Sequence, residues 1–209
     1  MKNWLLVWAC ASAVVGATGC SVVGIRLYEQ PEYEVLAEDG AVEIRQYETL
    51  VLVETDENGS ISDTEESAFW RLFRYISGAN DGARSVAMTA PVVQEPQPQK
   101  IEMTAPVLQS ATDAGWRMAF VLPSEYTIET APQPTDPGVR LREVRGARVA
   151  AIRYSGFRTD AKYASNTERL RDWLAQNQIE ERSQPRYAGY DPPFTLWFLR
   201  RNEILIDVE

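Results

Sequence analysis

One pattern occurs twice along this chain: strands, then an amphipathic helix, then more strands. It limits the possible folds more than any other feature of the sequence. In the first pass Val42, Ile44 and Leu50-Val51-Leu52-Val53 read as strands. Ser62-Asp63-Thr64-Glu65 has the form of a capping box. Phe69, Leu72, Phe73 and Ile76 follow at i, i+3, i+4 and i+7, which predicts a helix of about fifteen residues ended by Gly78. In the second pass Val139, Leu141, Val144 and Val149-Ala150-Ala151-Ile152 lead into a helix from Thr159-Asp160 to near Asn177. Tyr163, Thr167, Leu170 and Leu174 form its stripe, with Trp173 alongside. Further strands are expected at Trp116 to Leu122, Phe194 to Leu199 and Glu203 to Val208, and the two passes divide near Pro132 to Gly138. The predicted class is α+β. Two pseudo-symmetric βαβ-type halves would pool their strands into one antiparallel sheet or distorted barrel, with two flanking helices.

The first nineteen residues belong to delivery and not to this pattern. Lys2 precedes an almost unbroken apolar run from Trp4 to Val15, too short to span a bilayer but suited to a secretory signal. The small residues before Cys20 resemble the lipobox of bacterial lipoproteins, although Ala17 stands where leucine is usual. Acylation of Cys20 is therefore expected, with secretory cleavage after Ala17 as the alternative. Ser21 resembles an outer-membrane sorting signal, which places the domain in the periplasm on a lipid anchor. Residues 20–32 would form a tether reaching ~40 Å when extended, and residues 33–209 the folded domain.

Composition removes several classes of function. The other cysteine, Cys10, lies inside the apolar run, so the mature chain would hold only Cys20 and no internal disulfide. Stability must then come from a packed core, which 44% hydrophobic residues can supply. A formal charge of −9 repels phosphate backbones, so nucleic acid is not an expected partner. The chain has no histidine, which excludes Ser-His-Asp and Cys-His catalysis and any imidazole-ligated metal. No metal site of the protein's own is expected.

Met88-Thr89-Ala90-Pro91-Val92 recurs unchanged as Met103-Thr104-Ala105-Pro106-Val107. In extended conformation the Met, Ala and Val of each copy share a face. Proline cannot donate to a ladder, so each copy is expected at a strand end, an edge or a bulge. The Pro/Gln-rich connection suggests that the copies are neighbours, as in a loose hairpin. Their methionines are either core filler or the wall of a ligand groove near the aromatic-rich helices.

These segments together resemble the SOUL family of haem-binding proteins. The resemblance rests on Val42-Glu43-Ile44-Arg45-Gln46-Tyr47, Phe73 to Asn80, both Met-Thr-Ala-Pro-Val copies, Trp116 to Pro123, Tyr154-Ser155-Gly156-Phe157, and Tyr190 to Phe194 with Arg200-Arg201-Asn202-Glu203. It covers nearly the whole mature chain and implies a pseudo-twofold fold related to the GyrI-like group. It also implies non-covalent binding of haem or another tetrapyrrole through a hydrophobic groove, helped by basic residues near the propionates. Members with an axial histidine cannot be the pattern for this chain. Iron would meet Met88, Met103 or Met118, a tyrosine such as Tyr187 or Tyr190, or no protein ligand.

The candidate groove residues are therefore Met88, Met103, Met118, Trp70, Phe73, Tyr187, Tyr190, Arg200 and Arg201. Trp70 either covers a groove or packs under a loop. Arg200 and Arg201 match carboxylates bidentately, although Arg200-Arg201-Asn202 also reads as a turn with charges solvated or paired to Glu203. A carrier or scavenger suits such binding better than an enzyme. The alternatives are an envelope interaction protein, or a GyrI-like hydrolase using Glu102, Glu125 or Tyr126 as acid or base.

Overall fold

The structure is a computed structural model that describes residues 28–82, 98–192 and 194–209. The signal segment, Cys20 and Met88 with the rest of the first repeat copy lie outside the described residues. In chain order the strands of the first part are β1 (Tyr33–Asp39), β2 (Val42–Tyr47) and β3 (Leu50–Asn58). Helix α1 (Ile61–Ile76) follows, then β4 (Asn80–Asp81), β5 (Val107–Thr112), β6 (Gly115–Val121) and β7 (Gln133–Pro134). The second part has β8 (Val139–Val144), β9 (Arg148–Ser155), α2 (Asp160–Gln176), β10 (Arg186–Gly189) and β11 (Arg201–Asp207), with a 3-10 turn at Trp197–Leu199.

Nine strands form one antiparallel sheet in the order β1-β2-β9-β11-β10-β5-β6-β3-β8. β1 and β8 remain edges, so the sheet curls into a half-barrel and does not close. The two halves are visible in the order. β3, α1, β5 and β6 build one unit, while β9, α2, β10 and β11 build its counterpart, meeting where β5 pairs with β10. Each half also lends a strand to the other: β2 pairs with β9, and β8 pairs with β3.

Alternation along the strands gives the sheet two apolar faces. Val51, Val53, Met118 and Phe120 lie under α1 with its Ala68, Leu72, Tyr75 and Ile76. Ile44, Ile152, Ile204 and Ile206 lie under α2 with Leu170 and Leu174. The opposite face carries Leu52, Ala119 and Val121 on one side and Tyr47, Val149, Ala188 and Leu205 on the other. α2 matches its expected bounds closely: Thr159 caps it by accepting from Lys162 N at 3.3 Å, and Asn177 ends it. α1 begins earlier than the capping box suggests, with Ser60 as N-cap and Thr64 donating to its carbonyl through both N and Oγ1.

Three expectations are corrected. Phe194 to Leu199 is not a strand but a loop with a 3-10 turn. The slot beside β11 is taken by the unforeseen β10 on one side and β9 on the other, so no partner is left for it. Arg201 and Asn202 do not form a turn, because β11 begins at Arg201. Of the second repeat copy, only Val107 enters a strand: Thr104 makes one isolated bridge to Glu29, and the Ala105–Pro106 peptide is cis. Glu29 and Gln30, within residues 20–32, touch the domain. Glu29 bonds Ala105 N and Ser124 N, and Gln30 accepts from Arg201 at 3.2 Å.

Candidate functional site

The cleft between α1 and α2 is floored where the two halves meet. There Gln109 of β5 stands directly opposite Tyr187 of β10. Arg158, just after β9, reaches over this floor and donates to Gln109 Oε1 and to Glu65 Oε2 on α1, with its guanidinium 5.1 Å from the centre of the Tyr187 ring. Gln109 Nε2 donates to Glu65 Oε1 at 3.1 Å. The Tyr187 hydroxyl donates to Asn202 Oδ1 at 2.5 Å, and Asn202 Nδ2 donates to Gly156 O at 3.0 Å. Five segments are thus tied by one polar network. Gly156 makes its geometry possible: its φ of +108° turns the chain out of β9, and a Cβ there would sit 2.1 Å from Lys162 Nζ.

Tyr187 is buried, and its hydroxyl is pushed up to about 12, first by loss of solvent and against the pull of Arg158. It remains a neutral phenol at physiological pH. The Tyr154 hydroxyl, on β9 beyond β11, is buried without a hydrogen-bond partner among the described residues, and burial pushes it up as well.

Around this polar floor lie exposed aromatics. On α1, Phe69, Trp70 and Phe73 pack ring to ring, with Trp70 and Phe73 edge to face at 5.4 Å. Phe69 also leans on Phe120 of the core. Trp70 is 50% exposed and Phe73 36%. Phe73 therefore lies at the border of the apolar stripe and not within it. On the other segment Phe157 stacks on Trp197 at 6.2 Å, Trp197 meets Phe198 edge to face, and the Arg200 guanidinium lies 5.3 Å from the Phe157 ring centre. Among the described residues, every large exposed apolar side chain except Tyr28, Val35 and Leu36 lies on α1, at Phe157 or between Phe194 and Phe198. The Glu65–Arg158 pair joins them, since Glu65 is one turn before Phe69 and Arg158 follows Phe157.

The sequence candidates separate by face. Trp70 and Phe73 lie on the exposed side of α1, Tyr187 stands at the floor opposite Gln109, and Arg200 lies against Phe157. Met118 is buried beneath α1, and Met103 packs half-buried against the same core. Tyr190 and Arg201 lie on the opposite face of the sheet. The Tyr190 hydroxyl donates to Glu203 Oε2 at 2.8 Å, and Arg201 is paired with Glu203 at 2.6 Å, so Arg201 is already committed to a carboxylate. Glu102 and Glu125 are exposed, and Tyr126 accepts a hydrogen bond from Gln99. No group of acidic or sulfur side chains among the described residues is placed to hold a metal ion. Sequence reasoning missed Phe157, Arg158, Trp197 and Phe198. Aromatics directly after a glycine, and between a proline and a double arginine, were the available signal.

The opposite face holds a pocket of about 80 Å³ walled by Leu50, Leu52, Leu108, Val121, Val144 and Leu205. Pockets for organic ligands are about 300–1,000 Å³. That volume is well below what a planar macrocycle needs.

Comparison with known proteins gives the family and the fold. The family model described as SOUL heme-binding protein matches residues 28–207. Heme-binding protein 1 of Xenopus tropicalis is 26% identical over 170 residues, covering 78% of this chain and 85% of that protein. Heme-binding protein 1 of Mus musculus is 25% identical over 145 residues, covering 69% and 71%. Among solved structures, a hydrolase from Listeria innocua superposes with a TM-score of 0.56 at 10% identity, covering 83% of this chain and 94% of that one. An uncharacterised conserved protein from the same organism gives 0.53 at 9%, covering 87% and 93%. At such identities these likenesses speak for the fold alone, which is of the GyrI-like type.

Proposed function

Because the chain belongs to the SOUL heme-binding protein family, we propose that it holds haem or another tetrapyrrole non-covalently on the aromatic shelf of the helix-side cleft, without an imidazole ligand. Family membership supports a tetrapyrrole as the ligand. The observation that carries the choice of site is the gathering of exposed aromatics on two segments joined by the Glu65–Arg158 pair. Flat ring faces that remain wet in the folded chain gain most by covering a planar apolar macrocycle. Trp70, Phe73, Phe157 and Trp197 would cover the ring, and Arg200, at the edge of the shelf, would meet a propionate.

The donor set argues against strong axial ligation. Tyr187 keeps its proton, and the thioethers of Met103 and Met118 are occupied in packing. Binding through ring faces suits a carrier or scavenger that must release its cargo. We propose further that this carrier is a lipoprotein of the bacterial envelope, acylated at Cys20 and facing the periplasm, a reading supported by the leader, the lipobox-like segment and Ser21.

Titrating the full chain with haemin and following absorbance tests the site. A saturable Soret shift is expected, and Trp70→Ala with Trp197→Ala together should weaken it at least tenfold, about 1.4 kcal/mol. Met103→Leu should leave the Soret position unchanged. Unaltered affinity in the double tryptophan variant would remove the shelf from consideration.

A further inference from the structure

The stretch from Pro192 to Leu199 holds no charged side chain, and five of its residues are large and apolar. Phe194 is 84% exposed, Leu196 54%, Trp197 52% and Phe198 53%. The backbone of this loop turns back on itself. Thr195 N donates to Pro192 O at 3.0 Å, Leu199 N to Leu196 O at 2.9 Å and Arg200 N to Trp197 O at 3.4 Å. Three N–H groups are thus bonded within the loop, which lowers the cost of taking this backbone out of bulk water. Immediately behind it Arg200 donates through Nε to Thr195 O at 2.8 Å and lies against Phe157. Arg158, paired with Glu65, and Lys162, whose Nζ bonds Ser155 O, follow on the adjoining segment; Asp160 and, for Arg200, Glu203 are the acidic residues nearest in sequence.

We propose that this loop inserts into the interfacial zone of a zwitterionic phospholipid bilayer. Phe194, Leu196 and Phe198 would reach the acyl boundary, Trp197 the carbonyl level, and Arg200 the phosphates. Trp beside Phe and Leu at a protruding tip, with a guanidinium behind, is the composition of an interfacial anchor. A specific protein partner needs about 20–30 residues a side, and this tip offers a handful. The net charge of −9 turns the chain from anionic lipid and toward neutral headgroups. This contact goes beyond tetrapyrrole binding and does not depend on it. It would bring the Phe157–Trp197 edge of the shelf to the membrane, where an apolar porphyrin dissolves.

The test compares the full chain with Trp197→Phe on phosphatidylcholine vesicles carrying bromine on the acyl chains near the headgroup. Subtracting the two spectra isolates Trp197 from the other five tryptophans, including Trp4 and Trp8 of the apolar leader. Expected are a blue shift of the Trp197 emission, quenching by bromine and protection from aqueous iodide. A Trp197 difference spectrum identical with and without vesicles overturns the proposal. Changing Phe194, Leu196 and Phe198 together to Ser should abolish the vesicle-induced shift while the far-UV circular dichroism and unfolding midpoint stay as in the parent chain. Persistence of the shift in that variant also overturns it. Haemin titration of the same variant, which keeps Trp197, reports separately on the tetrapyrrole reading.

Discussion

Glu203 is fully buried and keeps its charge because two guanidiniums and a phenol surround it. Arg45, 1% exposed, grips both carboxylate oxygens at 2.7 and 3.0 Å, Arg201 pairs with Oε1, and Tyr190 donates to Oε2. Burial pushes the Glu203 carboxyl up, but hydrogen bonds and charge from Arg45 and Arg201 outweigh it and hold the group below the ordinary glutamate range. Such clusters are stable only when complete. Glu203→Gln leaves two buried guanidiniums facing a neutral amide and is expected to cost about 3–5 kcal/mol, on the order of 10 °C in Tm for a chain of this size. Because the folded-state pKa is depressed, the Glu203 contribution is present above the unfolded value near 4.3 and is lost as pH falls through the lower folded value. Thermal unfolding between pH 3 and pH 7 should therefore show an acid limb that is shallower in Glu203→Gln. The remaining slope belongs to Asp207 and Asp56, which Arg186 and Arg117 hold down in the same sense. An equally steep limb in the variant would mean that Glu203 is not ionised in the folded protein.

At the level of elements, α1 does two tasks on two faces. Leu72 is 0% exposed in the core, whereas Trp70, two positions earlier, is half in solvent. Leu72→Ala should cost about 2–5 kcal/mol in chemical unfolding and leave haemin affinity unchanged at temperatures where the chain stays folded. Trp70→Ala should do the reverse, with little change in stability and weaker haemin binding. The periodicity of both helices was legible because side chains three and four apart share a face whatever the tertiary context. The caps of α2 were legible because Thr159 and Asn177 act locally. What escaped depended on distant partners. The apolar run Phe194 to Leu199 has the composition of a strand, but strands need a neighbour, and β10, whose four residues Arg186 to Gly189 carry little apolar signal, fills the available place. The pairing of Arg201 with Glu203 was one of the readings the sequence allowed, but Arg45, 158 positions away from Glu203, was not. The repeat was legible in part: Pro106 has no N–H for a ladder, and the second copy falls at a strand end, with β5 starting at Val107. Of the cleft, Trp70 and Tyr187 could be chosen from sequence, while Arg158 could not, because its role is fixed by the turn at Gly156.

For the whole molecule, the duplicated strand–helix–strand order was readable, but the exchange of strands between the halves was not. β2 precedes α1 in the chain yet pairs with β9 of the second half, and β8 precedes α2 yet pairs with β3 of the first. Each half therefore completes its sheet with a strand from the other, and the cleft floor is shared across the β5–β10 seam. If one half unfolded alone, it would withdraw the strand it lends, β2 or β8, and leave the backbone of β9 or β3 unpaired on that side. Separate unfolding of the halves is thus penalised twice, once through the seam and once through the lent strand. The expected outcome is a single cooperative transition. Leu72→Ala under α1 and Leu170→Ala under α2 should each lower the same calorimetric midpoint, with calorimetric and van't Hoff enthalpies equal in both variants. Two resolved transitions, or a variant that lowers only part of the heat absorption, would show that the halves are energetically independent. The cleft between the helices would then be a hinge, and not the rigid floor that the Gln109–Tyr187 register and the Arg158 network describe.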